Sequence, residues 1–84
     1  LGVGRRSSPR PKWVVLRADT TWKCGRIQRA ILGYVRERLR ANPRAKRVPV
    51  EGLLDRMAEE GLGAADVLDA LRRLRDRGIV ELLY

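Results

Sequence analysis

The sequence predicts a mainly α domain with a small β-sheet, built from three helices and two or three short strands. Three observations carry this. Apolar residues recur at three- and four-residue intervals in three stretches, each ended by Gly or by Asn-Pro. Two short runs rich in β-branched or aromatic residues stand outside those stretches, one before the first and one after the last. The 84 residues, 44% of them hydrophobic, suffice for one core but not for a cavity enclosing a large substrate.

The elements follow in order. Residues 1 to 12, LGVGRRSSPRPK, are rich in Gly, Pro, Ser and basic residues, so burial cannot offset the entropy of ordering them. They read as a flexible basic arm, with the folded domain spanning 13 to 84. WVVLRA at 13 to 18 fits a short strand. From Trp22 to about Ala41 the apolar stripe Ile27, Ala30, Ile31, Tyr34, Val35 and Leu39 marks an amphipathic first helix, with Thr20 or Thr21 placed to cap it and Asn42-Pro43 to end it. Lys23, Arg26, Arg29, Arg36, Arg38 and Arg40 lie off that stripe.

A connector, Arg44-Ala45-Lys46-Arg47, leads to an extended piece at Val48-Pro49-Val50. The second helix runs from about Val50 to Glu60 on Leu53, Leu54, Met57 and Ala58. It stops at Gly61. After Leu62-Gly63 the third helix buries Val67, Leu68, Leu71 and Leu74. Arg75 and Arg77 suit its C-terminal dipole, Gly78 its left-handed cap, and Ile79 to Tyr84 a closing strand.

Charge is divided unevenly along the chain. Residues 1 to 47 are +12 and residues 48 to 84 are −3, which together make the net +9. An excess of that size is more than solubility requires, because like charges repel in the compact state. A polyanion, most simply nucleic acid, is the expected partner. With no His and a single Cys, the chain supplies neither a zinc site of standard spacing nor an internal disulfide, and it lacks the Ser/Cys-His pairing of nucleophilic catalysis. The reading is a non-catalytic module without cofactor or metal. No apolar run nears the roughly 20 residues that cross a bilayer, and no signal-peptide core follows the basic start. The expected setting is cytoplasmic and nucleoid-associated, or nuclear, without export or membrane. The start at Leu1 without Met reads as an excised piece of a longer protein or a processed product.

Glu60-Gly61-Leu62-Gly63 joins the second and third helices by a short turn containing Gly, the helix-turn-helix signature. Val67 and Ala70, six and nine residues after Gly61, suit close helix crossing. The segment LRRLRDRGIVE at 71 to 81 resembles the end of the third helix in winged-helix domains. With VPVEGLLDRMAEEGLGAADVLDALRRLRDRGIVEL, residues 26 to 82 look like the C-terminal winged helix of archaeal minichromosome-maintenance replicative helicases. The resemblance implies a winged helix-turn-helix fold and a regulatory or partner-docking appendage of a replication protein; no phosphate-binding Gly loop with Lys-Ser/Thr is present for a motor. Departures from the pattern are also plain. No residues follow Tyr84 for the wing hairpin and its last strand, so the wing is truncated, and Trp13 to Ala18 is expected to replace the strand by pairing beside Ile79 to Tyr84.

In such folds the third helix commonly reads bases from the major groove. Here its early turns carry Asp66 and Asp69, which would face phosphates. The candidate contacts are therefore Arg5, Arg6, Arg10 and Lys12 in the arm, with Lys23, Arg26, Arg29, Arg36, Arg40, Arg44, Lys46 and Arg47 on and around the first helix. Arg72 and Arg73 follow late on the third. The expectation is backbone binding to double-stranded DNA by part of a replication or transcription protein. One alternative is a docking module whose acidic surface (Glu51, Asp55, Glu59, Glu60, Asp66, Asp69) meets a basic protein partner; another is an RNA-binding module. Trp13 and Trp22 suit either the core or stacking on unpaired bases, Tyr34 reads as core, and Cys24 is assigned no role. Oligomeric state is not encoded in any pattern found.

Overall fold

The computed structural model describes residues 10–18 and 20–84. In chain order the elements are β1 (Trp13–Leu16), α1 (Arg26–Ala41), β2 (Val48–Pro49), α2 (Val50–Glu59), α3 (Ala64–Asp76) and β3 (Val80–Leu83). Three helices and a three-stranded antiparallel sheet thus appear in the predicted order. Arg5 and Arg6 lie outside the described residues.

The sheet has the order β2-β1-β3, which places the N-terminal strand at its centre. β1 runs antiparallel to β3 from Trp13↔Leu83 through Leu16↔Val80, and to β2 through Val14↔Val48. The expected partnership between the two ends of the chain is therefore present. Strand alternation then sorts the side chains by face. Val14, Val48, Val80 and Leu82 are buried, while Trp13 and Leu83 are only half-buried and Glu81 is exposed. Trp13 is not a core residue, because its neighbour Val14 takes the inward position.

Two left-handed glycines shape the helical corner. Gly61 at φ 84° follows α2, and the Leu62 N–H reaches the Met57 carbonyl at 2.9 Å while the Gly61 N–H reaches that of Ala58 at 3.0 Å. The end of α3 repeats the device: Gly78 at φ 76° allows Ile79 N–H to bond Leu74 O at 3.0 Å and Gly78 N–H to bond Arg75 O at 2.9 Å. These paired bonds satisfy carbonyls that a helix end would otherwise leave open.

The start of α1 departs from expectation. The helix begins at Arg26 and not at Trp22, with Gly25 as its N-cap and no side-chain capping bond. Lys23 at φ 56° is left-handed and breaks any helix through that position. Thr20 closes a local turn instead, its Oγ1 accepting the Trp22 N–H at 3.1 Å. Arg77, beyond the end of α3, fastens this loop by donating to the carbonyl oxygens of Trp22 and Lys23 and to Cys24 Sγ. Cys24 is buried beneath that contact.

The core unites all six elements: Val14, Ile31, Leu32, Val35, Val48, Val50, Leu53, Met57, Val67, Leu71 and Leu74 are fully enclosed, and Val80 and Leu82 of β3 are buried beside them. Leu32, outside the predicted stripe, is completely buried because α1 packs against both other helices and needs a wider apolar arc. Ala58, on the predicted α2 stripe, is exposed instead. Pro11 is buried, and Lys12 bonds through its N–H to Leu83 O at 2.7 Å and through its carbonyl to the Val50 N–H at 2.9 Å. The anchored chain thus begins before Trp13, slightly inside the expected arm.

Candidate nucleic-acid interface

At about 100° of rotation per residue, Arg26, Arg29, Arg36 and Arg40 fall within roughly 80° of arc on the outward side of α1. The helix thus gathers four cations into one ridge opposite Ile31 and Val35. Arg26, Arg29 and Arg40 are exposed and Arg36 is half-buried. Gly33 occupies the middle of the ridge and leaves it low there. At the C-terminal end the ridge meets Arg44, Lys46 and Arg47, all exposed on the connector to β2. The α1 dipole places its negative end beside these cations, a favourable arrangement.

The ridge is not electrostatically uniform. Near its N-terminal end Arg26 lines a cleft of about 640 Å³ with Glu60, Asp66, Asp69 and Arg73. Arg73 is paired there with Asp69 at 3.1 Å. In the middle, Arg36 and Arg40 border α2 together with Glu37, Arg56 and Glu60. Glu37 accepts from Arg56 at 3.1 Å, and the Arg56 guanidinium also lies 5.5 Å from the Tyr34 ring centroid. The candidate cations and the candidate acidic surface therefore meet at the N-terminal end of α1, because α1 packs beside the α2–α3 corner that carries the acids.

The C-terminal end is different. A cleft of about 360 Å³ is lined by Trp13, Arg38, Asn42, Ala45, Lys46, Arg47, Val48 and Pro49, with no acid among them. The Arg47 guanidinium lies 4.3 Å from the Trp13 ring centroid. At an exposed site such a contact contributes about 0.5–1 kcal/mol. Arg38 was absent from the candidate contacts because its position, off the ridge on the side away from Arg40, gives it meaning only once β1 and the connector are packed against α1. The period of two along β1 was the available signal for Trp13, since it sends Trp13 and Val14 to opposite faces.

The remaining candidates are scattered. Arg10 borders a cavity of about 400 Å³ shared with Lys12, Trp13, Glu51 and Leu54. Lys23 lies 5.8 Å from the ring centroid of Trp22, a residue 70% exposed. Arg72 is half-buried on α3. The outward side of α3 bears Asp66, Asp69 and Asp76 beside Arg72 and Arg73, an unfavourable surface for a major groove. On α2, Glu51, Asp55 and Glu59 form an exposed acidic stripe at four-residue spacing. Among the described residues no group of three or more metal-ligating side chains is present, and no helix is long and apolar enough to cross a membrane. No protein-family model matches the chain, and no curated protein or solved structure matches it.

Proposed function

We propose that this chain is a winged helix-turn-helix module that binds double-stranded DNA mainly through phosphates, within a larger replication or transcription protein. The carrying observation is the outward stripe of α1, where Arg29, Arg36 and Arg40 continue into Arg44, Lys46 and Arg47. β1 at the centre of the sheet, between β2 and β3, suits the fold reading, since it takes the place of the strand a wing would return. The acids on α3 argue that the third helix stays out of the major groove, so binding is weakly sequence-dependent. Arg5, Arg6, Arg10 and Lys12 add phosphate contacts from the arm.

Titration of a duplex at several salt concentrations tests this reading. Neutralising about six phosphates gives a log-log slope of about −5. Replacing Arg26, Arg29 and Arg36 together by Glu abolishes binding at moderate salt. A slope near zero, or unchanged affinity in that variant, overturns the proposal. Structured RNA titrated in parallel separates the RNA alternative.

A second reading rests on the Glu51-Asp55-Glu59 stripe, which offers a docking face for a basic protein partner. Both surfaces fit on one molecule. Charge reversal at Glu51, Asp55 and Glu59 to Lys weakens docking under this reading while leaving duplex affinity undiminished.

A further inference from the structure

The geometry points to an unpaired nucleotide as the ligand of the Trp13 cleft, so that the module prefers a duplex carrying a single-stranded extension to an uninterrupted duplex. This inference rests on the DNA-binding reading above. Three features of the cleft go beyond what phosphate binding needs. Trp13 stands on the outer face of the sheet, half-buried, with its ring in contact with a guanidinium and not with the core. Ala45, Val48 and Pro49 provide apolar lining beside it. Asn42 supplies an amide with both donor and acceptor, the combination that reads a base edge.

The charge and size agree with this ligand. Arg38, Lys46 and Arg47 line the cleft beside Trp13 with no acid in its lining, unlike the clefts beside Arg26 and Arg36. The nearest acids border neighbouring clefts, Glu37, Asp55 and Glu59 beside Arg38 and Glu51 beside Trp13. The volume of about 360 Å³ falls in the range of about 300–1,000 Å³ typical of small-ligand sites and suits one nucleotide. A base inside a duplex already has its faces covered by its neighbours, so only an unstacked base can offer one to Trp13 or to the stacked Arg47. Meanwhile Lys46 and Arg38 can meet its phosphate. The position is also firm, since Lys12, the residue before Trp13, is bonded through its backbone to both β3 and the start of α2.

The test uses the Trp22→Phe protein, which leaves Trp13 as the single Trp of the chain. A blunt duplex and the same duplex with a short oligothymidine overhang are compared for affinity and for quenching of Trp13 fluorescence. The overhang is expected to bind about tenfold more tightly, in line with stacking of one base, and to quench Trp13 where the blunt duplex does not. Arg38→Gln with Asn42→Ala, both exposed lining residues off the α1 ridge, should abolish the overhang preference while the blunt duplex still binds. Trp13→Val, a strand-compatible change checked by circular dichroism for retained fold, should do the same. Equal affinity for the two duplexes, or a preference that survives both variants, overturns the inference while leaving phosphate binding intact. Failure of both duplexes to bind removes the DNA reading itself.

Discussion

Gly33 and Gly52 are both helical glycines, yet their surroundings give opposite expectations. A Cβ at Gly33 would meet nothing within 4 Å, whereas one at Gly52 would lie 2.9 Å from the Tyr34 hydroxyl oxygen. Gly33→Ala removes backbone freedom from the unfolded chain without cost in the fold and should add about 0.5–1 kcal/mol. Thermal unfolding should register this as a rise in Tm of several degrees. Gly52→Ala has the same propensity gain, but the added methyl must displace a rigid aromatic ring that also holds Arg56. Its Tm should therefore fall below that of Gly33→Ala. A Tm for Gly52→Ala at or above it would mean that the Tyr34 ring moves freely. Trp22 shows how backbone and side chain separate: its carbonyl receives Arg77 while its ring is exposed. Trp22→Ala should accordingly shift stability by no more than about 0.5 kcal/mol in either direction, as measured by denaturant unfolding.

The helix ends and the central strand carry the fold at the scale of elements. Gly61 and Gly78 turn the chain through left-handed conformations, and each permits two bonds back into its helix. Gly61→Ala should cost about 1–2 kcal/mol, because an L side chain is strained at that φ even though space for its Cβ is open. A smaller loss in urea unfolding would indicate that the α2–α3 corner relaxes without that conformation. β1 links elements distant in sequence, and its single fully buried side chain, Val14, seals the sheet against α1 and the helical corner. In α3, Leu71 is completely buried, so Leu71→Ala should cost about 2–5 kcal/mol. That is a large part of the ~5–15 kcal/mol holding a typical small domain. These elements were largely legible in the sequence because their signals are local: period, terminating Gly, and Pro. The start of α1 was not legible, since the left-handed Lys23 and the clasp of Arg77 depend on residues more than fifty positions apart.

Across the whole molecule, net charge +9 is distributed by packing into unequal regions. The cationic ridge of α1 is diluted where it meets Glu60, Asp66 and Asp69, while beyond its C-terminal end Arg38, Lys46 and Arg47 share an acid-free cleft with Trp13. Glu37 stands in the ridge and is engaged by Arg56. Glu37→Gln removes one anion near the proposed phosphate path and should tighten duplex binding by about twofold at low salt. Unchanged affinity would place the path away from the middle of α1. The sequence by itself determined the three helices, the glycine stops of the second and third, the two strand-forming ends and the excess of cations in the first half. All of these follow from residue chemistry acting over a few neighbours. Tertiary structure alone decided that β1 lies between β2 and β3, that Val14 and not Trp13 enters the core, and which cations share a surface with acids. Those outcomes depend on pairings between distant segments, where one choice of strand register sets the facing of every side chain along the strand.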